Sequence, residues 1–312
     1  MTRENLKYFD ILSAKRTFAE GGNITELLRS QKNMSKNTPE IIEIAYDLQA
    51  GTYIEQVKSN PRQASLYSGE LAQILAKHVV QTDSLLDIGT GELTTLSLLV
   101  QAIEIKPKDI YALDISWSRL FKGLGYAEEN MGSAYDSLTA FVGDIREIPL
   151  LDKSIDITTS SHALEPNGGN LKELMAELFR VTIKKLVLFE PCFEINSEEG
   201  KRRMEALGYI KNVEGIIDEL GGKLIERITI KNTANPLNPT VCYVVIPPLA
   251  PTAEIQSARA RDSIFSVPGT NYRLEKIDDF YFSHVTGLCY PVLKTIPILK
   301  SCSAILASSL CN

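Results

Sequence analysis

The first 80 residues place apolar side chains at the spacing of amphipathic helices. Asn23 is suited to cap a helix that starts at Ile24, and the residues from Pro39 to Tyr53 carry apolar side chains on one face. A further amphipathic stretch spans residues 64–80. We therefore predict an all-helical region over residues 1–60, followed by one more helix.

From Ser84 onward the pattern changes to short apolar runs that alternate with helical stretches. Seven runs have the length and composition of strands: 85–88, 110–114, 138–144, 154–160, 185–190, 223–230 and 241–246. Helices are predicted between them at 93–103, 116–129, 171–181, 198–207 and 213–220. Such alternation is typical of an α/β protein with a doubly wound, mostly parallel, Rossmann-like sheet, which the last two strands close as an antiparallel pair.

A proline-rich segment at 247–251 marks a linker. We predict three parts: an N-terminal helical cap at 1–60, a central domain at 61–250 and a small C-terminal module at 251–312.

Charge and cysteine content narrow the class of protein. The net charge of −6 argues against a protein that grips long stretches of nucleic acid. Five cysteines, with no pair at CxxC spacing, argue against a disulfide framework and against a structural zinc site. The N-terminal residues do not resemble a signal peptide, and no apolar run is long enough to span a membrane. A cytoplasmic protein without a bound metal is expected.

Acidic residues mark the expected ligand crevice, at the carboxyl ends of the strands. Asp87 precedes a Gly89-Thr90-Gly91 turn, and Asp114 and Asp144 end the next two strands. A dinucleotide would require a third glycine and would place its pyrophosphate beside Glu92, where like charges repel. The acids instead suit S-adenosylmethionine, which has a sulfonium and an ammonium but no phosphate. Asp114 could accept both ribose hydroxyls, and Asp144 could accept from the adenine amino group.

Three segments in this order, 85–91, 112–116 and 142–145, resemble the cofactor motifs of class I S-adenosylmethionine-dependent methyltransferases. Residues 148–165 resemble the family's segment around the fourth strand, and the similarity extends over about 60–248. Leu93 stands where many members have a third glycine. The resemblance implies a methyltransferase, and the expected cofactor contacts within this region are Asp87, Gly89, Gly91, Asp114, Ile115, Asp144, Ile145 and Ser160.

The helix predicted over 39–53 adds two further candidates for the cofactor site. In the family, N-terminal helices of this kind often close over the methionine end of the cofactor. Gln49 and Tyr53 are four residues apart and would share a helical face. The alternative is a packing helix with Tyr53 at its rim.

Candidate catalytic residues follow the fourth strand. Methyl transfer to a hydroxyl requires that a base remove the proton. His162 is the candidate base, with a cofactor contact or simple packing as the alternative. Glu165 is the candidate group for orienting an acceptor hydroxyl or amine.

The C-terminal module contains Tyr290-Pro291 and Ile296-Pro297-Ile298-Leu299, a pattern similar to the end of small zinc-ribbon proteins that activate tRNA and protein methyltransferases. Thr295 replaces the usual glycine, and Val267-Pro268 stands where Cys-Pro is expected. The resemblance implies a metal-free module that packs on the methyltransferase edge or on a second subunit, as in a homodimer. An idiosyncratic extension is the alternative.

The expected activity is methyl transfer to a small polar acceptor, such as a sugar or a biosynthetic intermediate, without a nucleic acid or membrane partner. A tRNA or protein methyltransferase is the alternative, and it would be supported by a basic stripe near the crevice formed by Lys184, Lys185, Lys201, Arg202 and Arg203. A catalytically silent, cofactor-binding scaffold protein is the second alternative.

Overall fold

The computed structural model describes residues 9–34, 37–167, 169–249 and 263–311. The predicted boundary near residue 250 lies outside these ranges. Five helices precede the first strand: α1 (Ile11–Ala19), α2 (Ile24–Lys32), α3 (Pro39–Leu48), α4 (Thr52–Ser59) and α5 (Pro61–Leu75). Asn23 caps α2 as predicted, because its side chain accepts from the Glu26 N–H at 3.1 Å.

The predicted single helix over 39–53 is wrong. The structure ends α3 at Leu48 and begins α4 at Thr52. Between them Gly51 has φ +104°, a conformation that L side chains rarely adopt and that interrupts a right-handed helix. Gln49 is the C-cap of α3, whereas Tyr53 belongs to α4. The two side chains therefore do not share a helical face.

The central sheet has seven strands and is mostly parallel, with an antiparallel last pair, as predicted. The elements are β1 (Ser84–Ile88), α6 (Thr94–Ala102), β2 (Asp109–Asp114), α7 (Trp117–Asn130), β3 (Leu138–Val142), β4 (Ile155–Ser161), α8 (Leu171–Val181), β5 (Thr182–Pro191), α9 (Glu198–Leu207), α10 (Val213–Glu219), β6 (Lys223–Thr229) and β7 (Thr240–Ile246). Their order is β3-β2-β1-β4-β5-β7-β6, and β7 runs antiparallel to both of its neighbours. Strand order reverses beside β1, which is where open α/β sheets bind ligands.

Apolar side chains on the two faces of the sheet form separate cores, because successive residues of a strand point to opposite faces. On β1, Leu86 and Ile88 join the core that includes α8, whereas Leu85 joins the core of α5 and α6. Most of the strands are therefore buried on both faces, whereas the residues of β6 alternate between partly buried and exposed. Among the helices of the described ranges, none has the length and apolar character needed to cross a membrane.

The C-terminal module forms a second, antiparallel sheet from β8 (Glu275–Ile277), β9 (Phe280–Phe282), β10 (Leu288–Leu293), β11 (Ile296–Pro297) and β12 (Ile305–Leu306). Short 3-10 helices occupy Gly132–Ser137, Glu165–Asn167, Ser301–Ser303 and Ser308–Cys311. The module joins the free edge of β3, where the Leu299 N–H donates to the Val142 carbonyl at 2.8 Å. Phe265 and Tyr281 of the module enter the core of the large sheet. Of the two placements predicted for this module, the structure has the one on the chain's own sheet edge.

The hairpin between β10 and β11 places Thr295 in a backbone conformation that favours glycine. Leu293 pairs directly with Ile296, which leaves a two-residue turn. Lys294 and Thr295 have φ +50° and +70°, as a turn with two left-handed residues requires. Thr295 is β-branched and is strained in this conformation.

The module also contacts the N-terminal helices. Lys300 forms a salt bridge with Glu43 of α3 at 2.5 Å, and both side chains are largely buried. Burial raises the pKa of Glu43, and Lys300 opposes that rise. Helix α3 is thereby tied to the C-terminal module on the same side as the ligand crevice.

Candidate active site

The turn after β1 brings two glycines against neighbouring side chains. Gly89 and Gly91 have φ +59° and +58°. A Cβ at Gly89 would lie 2.5 Å from the Ala163 Cβ, and one at Gly91 would lie 2.4 Å from an Arg119 guanidinium nitrogen. At Gly89 both the conformation and the packing require glycine, whereas at Gly91 the positive φ is the requirement because the Arg119 side chain could shift.

Asp114, at the end of β2, holds this turn in place. Its Oδ2 accepts from the Gly91 N–H at 2.8 Å, and its Oδ1 accepts from the Ser116 N–H at 2.9 Å. The residue is 4% exposed, yet it lines the crevice. Each carboxylate oxygen has more than one lone pair, so both can also accept from a ligand.

The crevice beside this turn is a pocket that we call the first cavity. Eight of the predicted site residues line it: Tyr53, Gly89, Asp114, Ile115, Asp144, Ile145, His162 and Glu165. Four others, Gln49, Asp87, Gly91 and Ser160, do not line it. Ser160 is fully buried and donates instead to Glu190 Oε1 at 2.7 Å.

Buried carboxyl groups lie beneath the first cavity. Burial, together with the nearby carboxylates of Asp114 and Glu190, raises the pKa of Asp87 to about 7. Burial likewise raises the pKa of Glu190 to about 7. Glu190 also accepts from the N–H groups of Ala163 and Leu164 at 3.1 and 3.2 Å, which fixes the turn after β4. A cation bound above these groups would favour their ionised form.

Arg119 is a pocket residue that the sequence interpretation missed. Its guanidinium carbon lies 5.0 Å from the ring centre of Tyr46 and 4.6 Å from that of Tyr53. All three side chains line the first cavity. Arg119 lies in the first turn of α7, whereas the tyrosines come from α3 and α4, so no local sequence pattern could have paired them.

Glu92 has a role different from the one its sequence position indicated. The side chain is 1% exposed and turns toward α4, where Oε2 accepts from the Ile54 N–H at 2.9 Å. Its Oε1 lies 3.8 Å from Arg119 Nε. Glu92 thus holds α4 and Arg119 against the glycine turn. Its negative charge lies at the N-terminus of α4, where the helix dipole stabilises it.

Asp144 lies at the other end of the first cavity, after β3. Arg146 binds it closely, with Nη2 2.6 Å from Oδ2 and Nε 3.1 Å from both carboxylate oxygens. Both residues line the cavity. A ligand amino group that donates to Asp144 would therefore share the carboxylate with Arg146.

His162 and Glu165 form a hydrogen-bonded pair after β4. His162 Nδ1 lies 2.9 Å from Glu165 Oε2, and His162 Nε2 lies 2.9 Å from Thr240 Oγ1. Burial lowers the pKa of His162, but the hydrogen bond and charge of Glu165, together with Glu190, outweigh this and raise the pKa overall. His162 has φ +57°, a backbone strain of the kind found at functional sites.

A larger second cavity, of about 450 Å³, adjoins the first. Tyr53, Ser161, His162 and Glu165 line both cavities, so the two meet at the His162–Glu165 pair. The Tyr67 hydroxyl lies 2.9 Å from Ser161 Oγ on the wall of the second cavity. The remaining walls come from α4, α5, α6 and the segment between β6 and β7.

The basic residues that would favour a polynucleotide acceptor do not form one stripe. Lys184 pairs with Asp83 and Asp156 near the amino end of β5. The cavities lie at the opposite, carboxyl end of β5. Helix α9 follows that end of the strand, and its Lys201 pairs with Glu198. The two basic groups therefore lie at opposite ends of the sheet.

Comparison with known proteins agrees with the geometry. Residues 86–188 match the family described as a methyltransferase domain. Among curated proteins, none matches the chain. The motif resemblance is confirmed: this region is a class I methyltransferase domain of Rossmann-like fold. S-adenosylmethionine is its cofactor.

Solved structures similar to this chain include two methyltransferases. One is from Haloferax volcanii, in a complex between the Trm112 methyltransferase activator and a putative methyltransferase; the identity is 16%, the match covers 59% of this chain and 91% of that one, and the TM-score is 0.48. The other is an S-adenosylmethionine-dependent methyltransferase from Aquifex aeolicus, at 16% identity, 62% and 97% coverage and a TM-score of 0.45. At these values neither carries an argument about function. The similarity of the C-terminal module to zinc-ribbon activators stays a prediction.

Proposed function

We propose that this methyltransferase acts on a small polar acceptor, such as a sugar or a biosynthetic intermediate. The observation that supports this is the second cavity, which is walled by four structural segments and meets the first cavity at the His162–Glu165 pair. An acceptor held there would face the methyl donor directly. Small-molecule sites are usually concave cavities of this kind.

The first cavity fits the cofactor through its glycine turn and its charges. Asp114 would bind the ribose hydroxyls, and Asp144 with Ile145 would contact the adenine ring. The backbone of Gly89 would support the methionine portion, while the Gly91 N–H holds Asp114 in place. Arg119, whose Nε has no hydrogen-bond partner among the described residues, would bind the carboxylate of that portion, because a guanidinium matches a carboxylate in shape and charge. Gln49 has no place in this arrangement.

The bound cofactor supplies a methyl group on a positively charged sulfur. The protein has to hold the nucleophile in line and accept its proton. Glu165 fixes His162 through Nδ1, so Nε2 is the atom that would take a proton from an acceptor hydroxyl. That hydroxyl would replace the contact between Nε2 and Thr240. Because the pKa of His162 is raised, the unprotonated base becomes available only at higher pH.

The other activities considered for the sequence have less support. A tRNA or protein acceptor would favour a basic surface around the cavities, and the two basic groups are instead separated by the length of the sheet. A silent scaffold would not require two cavities that meet at a titratable pair. A dimer formed through the C-terminal module stays a prediction.

Isothermal titration tests the first part of the proposal. We expect the purified protein to bind S-adenosylmethionine with micromolar affinity and not to bind NAD. S-adenosylhomocysteine should then form when small hydroxylated acceptors are added. Binding of NAD alone would refute the assignment of the crevice, and cofactor binding with no turnover of any acceptor would favour the scaffold.

A further inference from the structure

The walls of the second cavity are polar but nearly uncharged. Five side-chain amides line it, from Gln56, Asn60, Gln63, Asn235 and Asn238. Among the described residues that line it, the charged ones are His162 and Glu165, and these bind each other. None of the lining residues within the described ranges is a lysine or an arginine.

This charge distribution disfavours an anionic acceptor. A phosphate or carboxylate that enters the cavity loses water and finds no unpaired cation in return, and such uncompensated burial is costly. Glu165 would also repel it. An uncharged acceptor avoids both costs, and the amides can bind its hydrogen-bonding groups in either sense, since each amide has donors and an acceptor.

Asn238 adds an observation that points to a ligand. It lines the second cavity and is 8% exposed. Its Nδ2 donates to Glu165 Oε2 at 3.2 Å, whereas its Oδ1 has no hydrogen-bond partner among the described residues. A buried oxygen without a hydrogen bond destabilises the folded protein. A hydroxyl or N–H of a ligand would satisfy it next to the proposed base.

We propose that the second cavity is the acceptor site and that the acceptor is an uncharged molecule with several hydroxyl or amide groups, one of which donates to Asn238. This inference rests on the proposed methyltransferase activity. The volume of about 450 Å³ suits a small molecule, since such sites measure roughly 300–1,000 Å³.

The charge of the product tests the inference directly. The protein is incubated with methyl-tritiated S-adenosylmethionine and a filtered small-molecule extract of the source cells. The products are then separated by anion and cation exchange. We expect the label in the neutral fraction. Because unreacted S-adenosylmethionine is itself a cation, each fraction is compared with a reaction that lacks the protein. Excess label in the anionic fraction, in the cationic fraction or in none of them would overturn the inference.

Titration of S-adenosylmethionine into the same preparation distinguishes a failure of the proposed acceptor from a failure of the proposed function. If the cofactor binds but the neutral fraction stays unlabelled, the inference about the acceptor fails while the cofactor assignment stands. If the cofactor does not bind, the proposed function itself fails.

A pair of matched variants locates the acceptor. Gln56→Leu removes an amide from the cavity wall, and Gln101→Leu removes an exposed amide at the end of α6. For Gln56→Leu we expect the amount of neutral fraction needed for half-maximal rate to rise roughly 2- to 10-fold, as for the loss of one hydrogen bond. Gln101→Leu should have no effect, and both variants should bind the cofactor normally. Equal half-saturation in the two variants would place the acceptor elsewhere.

Discussion

Asp114→Asn should weaken cofactor binding strongly while leaving the fold intact. The carboxylate is 4% exposed and accepts two backbone N–H groups at 2.8 and 2.9 Å, from Gly91 and Ser116. Asparagine has the same size, but its amide nitrogen must face one of these N–H groups. It also cannot accept both ribose hydroxyls. Hydrogen bonds to a charged group contribute about 1.5–3 kcal/mol, so we expect the Kd to rise roughly 10- to 150-fold.

Isothermal titration measures this effect, and Asp109→Asn is the matched control. Asp109 begins the same strand at its opposite end, where its side chain is 46% exposed and forms an ion pair with Lys108. The control should bind the cofactor as the unaltered protein does. Circular dichroism and thermal unfolding without the cofactor establish that both variants are folded. A folded Asp114→Asn protein with unchanged affinity would refute the ribose assignment.

Four further predictions concern protons and strain. Because the buried Asp87 has a pKa of about 7, a cationic cofactor should bind more tightly as pH rises through 7, and Asp87→Asn should remove that component from the titrations. His162→Asn, which tolerates the left-handed backbone, should leave the cofactor Kd within about twofold but slow turnover by roughly 100-fold or more; parallel losses would indicate a structural residue. Thr295→Gly should stabilise the protein by about 0.5–1 kcal/mol, because relief of left-handed strain exceeds the entropic cost of glycine; an unchanged or lower Tm would contradict this. Lys300→Met leaves Glu43 buried and unpaired, so it should destabilise the protein by about 2 kcal/mol at pH 8 and less at acidic pH, where Glu43 becomes neutral; equal losses in denaturant unfolding at both pH values would contradict the ion-pair argument.

The mostly parallel sheet and the crevice formed by the glycine turn and the strand-end acids were predictable from the sequence, whereas the spatial order of the strands was not. Buried strands need continuous apolar runs, and the loops at their carboxyl ends carry Asp114, Asp144 and the Gly89-Thr90-Gly91 turn at short, fixed distances along the chain. Each of these features lies within a short segment, so it can be recognised in a single sequence without knowledge of the tertiary structure. The antiparallel pairing at the end of the sheet was predictable as well, from two strands without a crossover helix between them.

Contacts between distant segments were not predictable in the same way. The break at Gly51 depends on a backbone angle that a glycine permits but does not compel. Arg119 meets its tyrosines, and Asn238 meets His162, only after separate elements pack together.

The sequence alone was enough to predict the mostly parallel sheet, the cofactor class and eight of the residues that line the first cavity, because hydrophobic periodicity and the residues at strand ends are properties of short segments. Only the tertiary structure showed which side chains face the second cavity, that the charged residues described in its walls are the paired His162 and Glu165, and that the C-terminal module extends the edge of β3. Those properties arise from residues as far apart as Tyr53 and Asn238, and only the packed chain brings them to one surface.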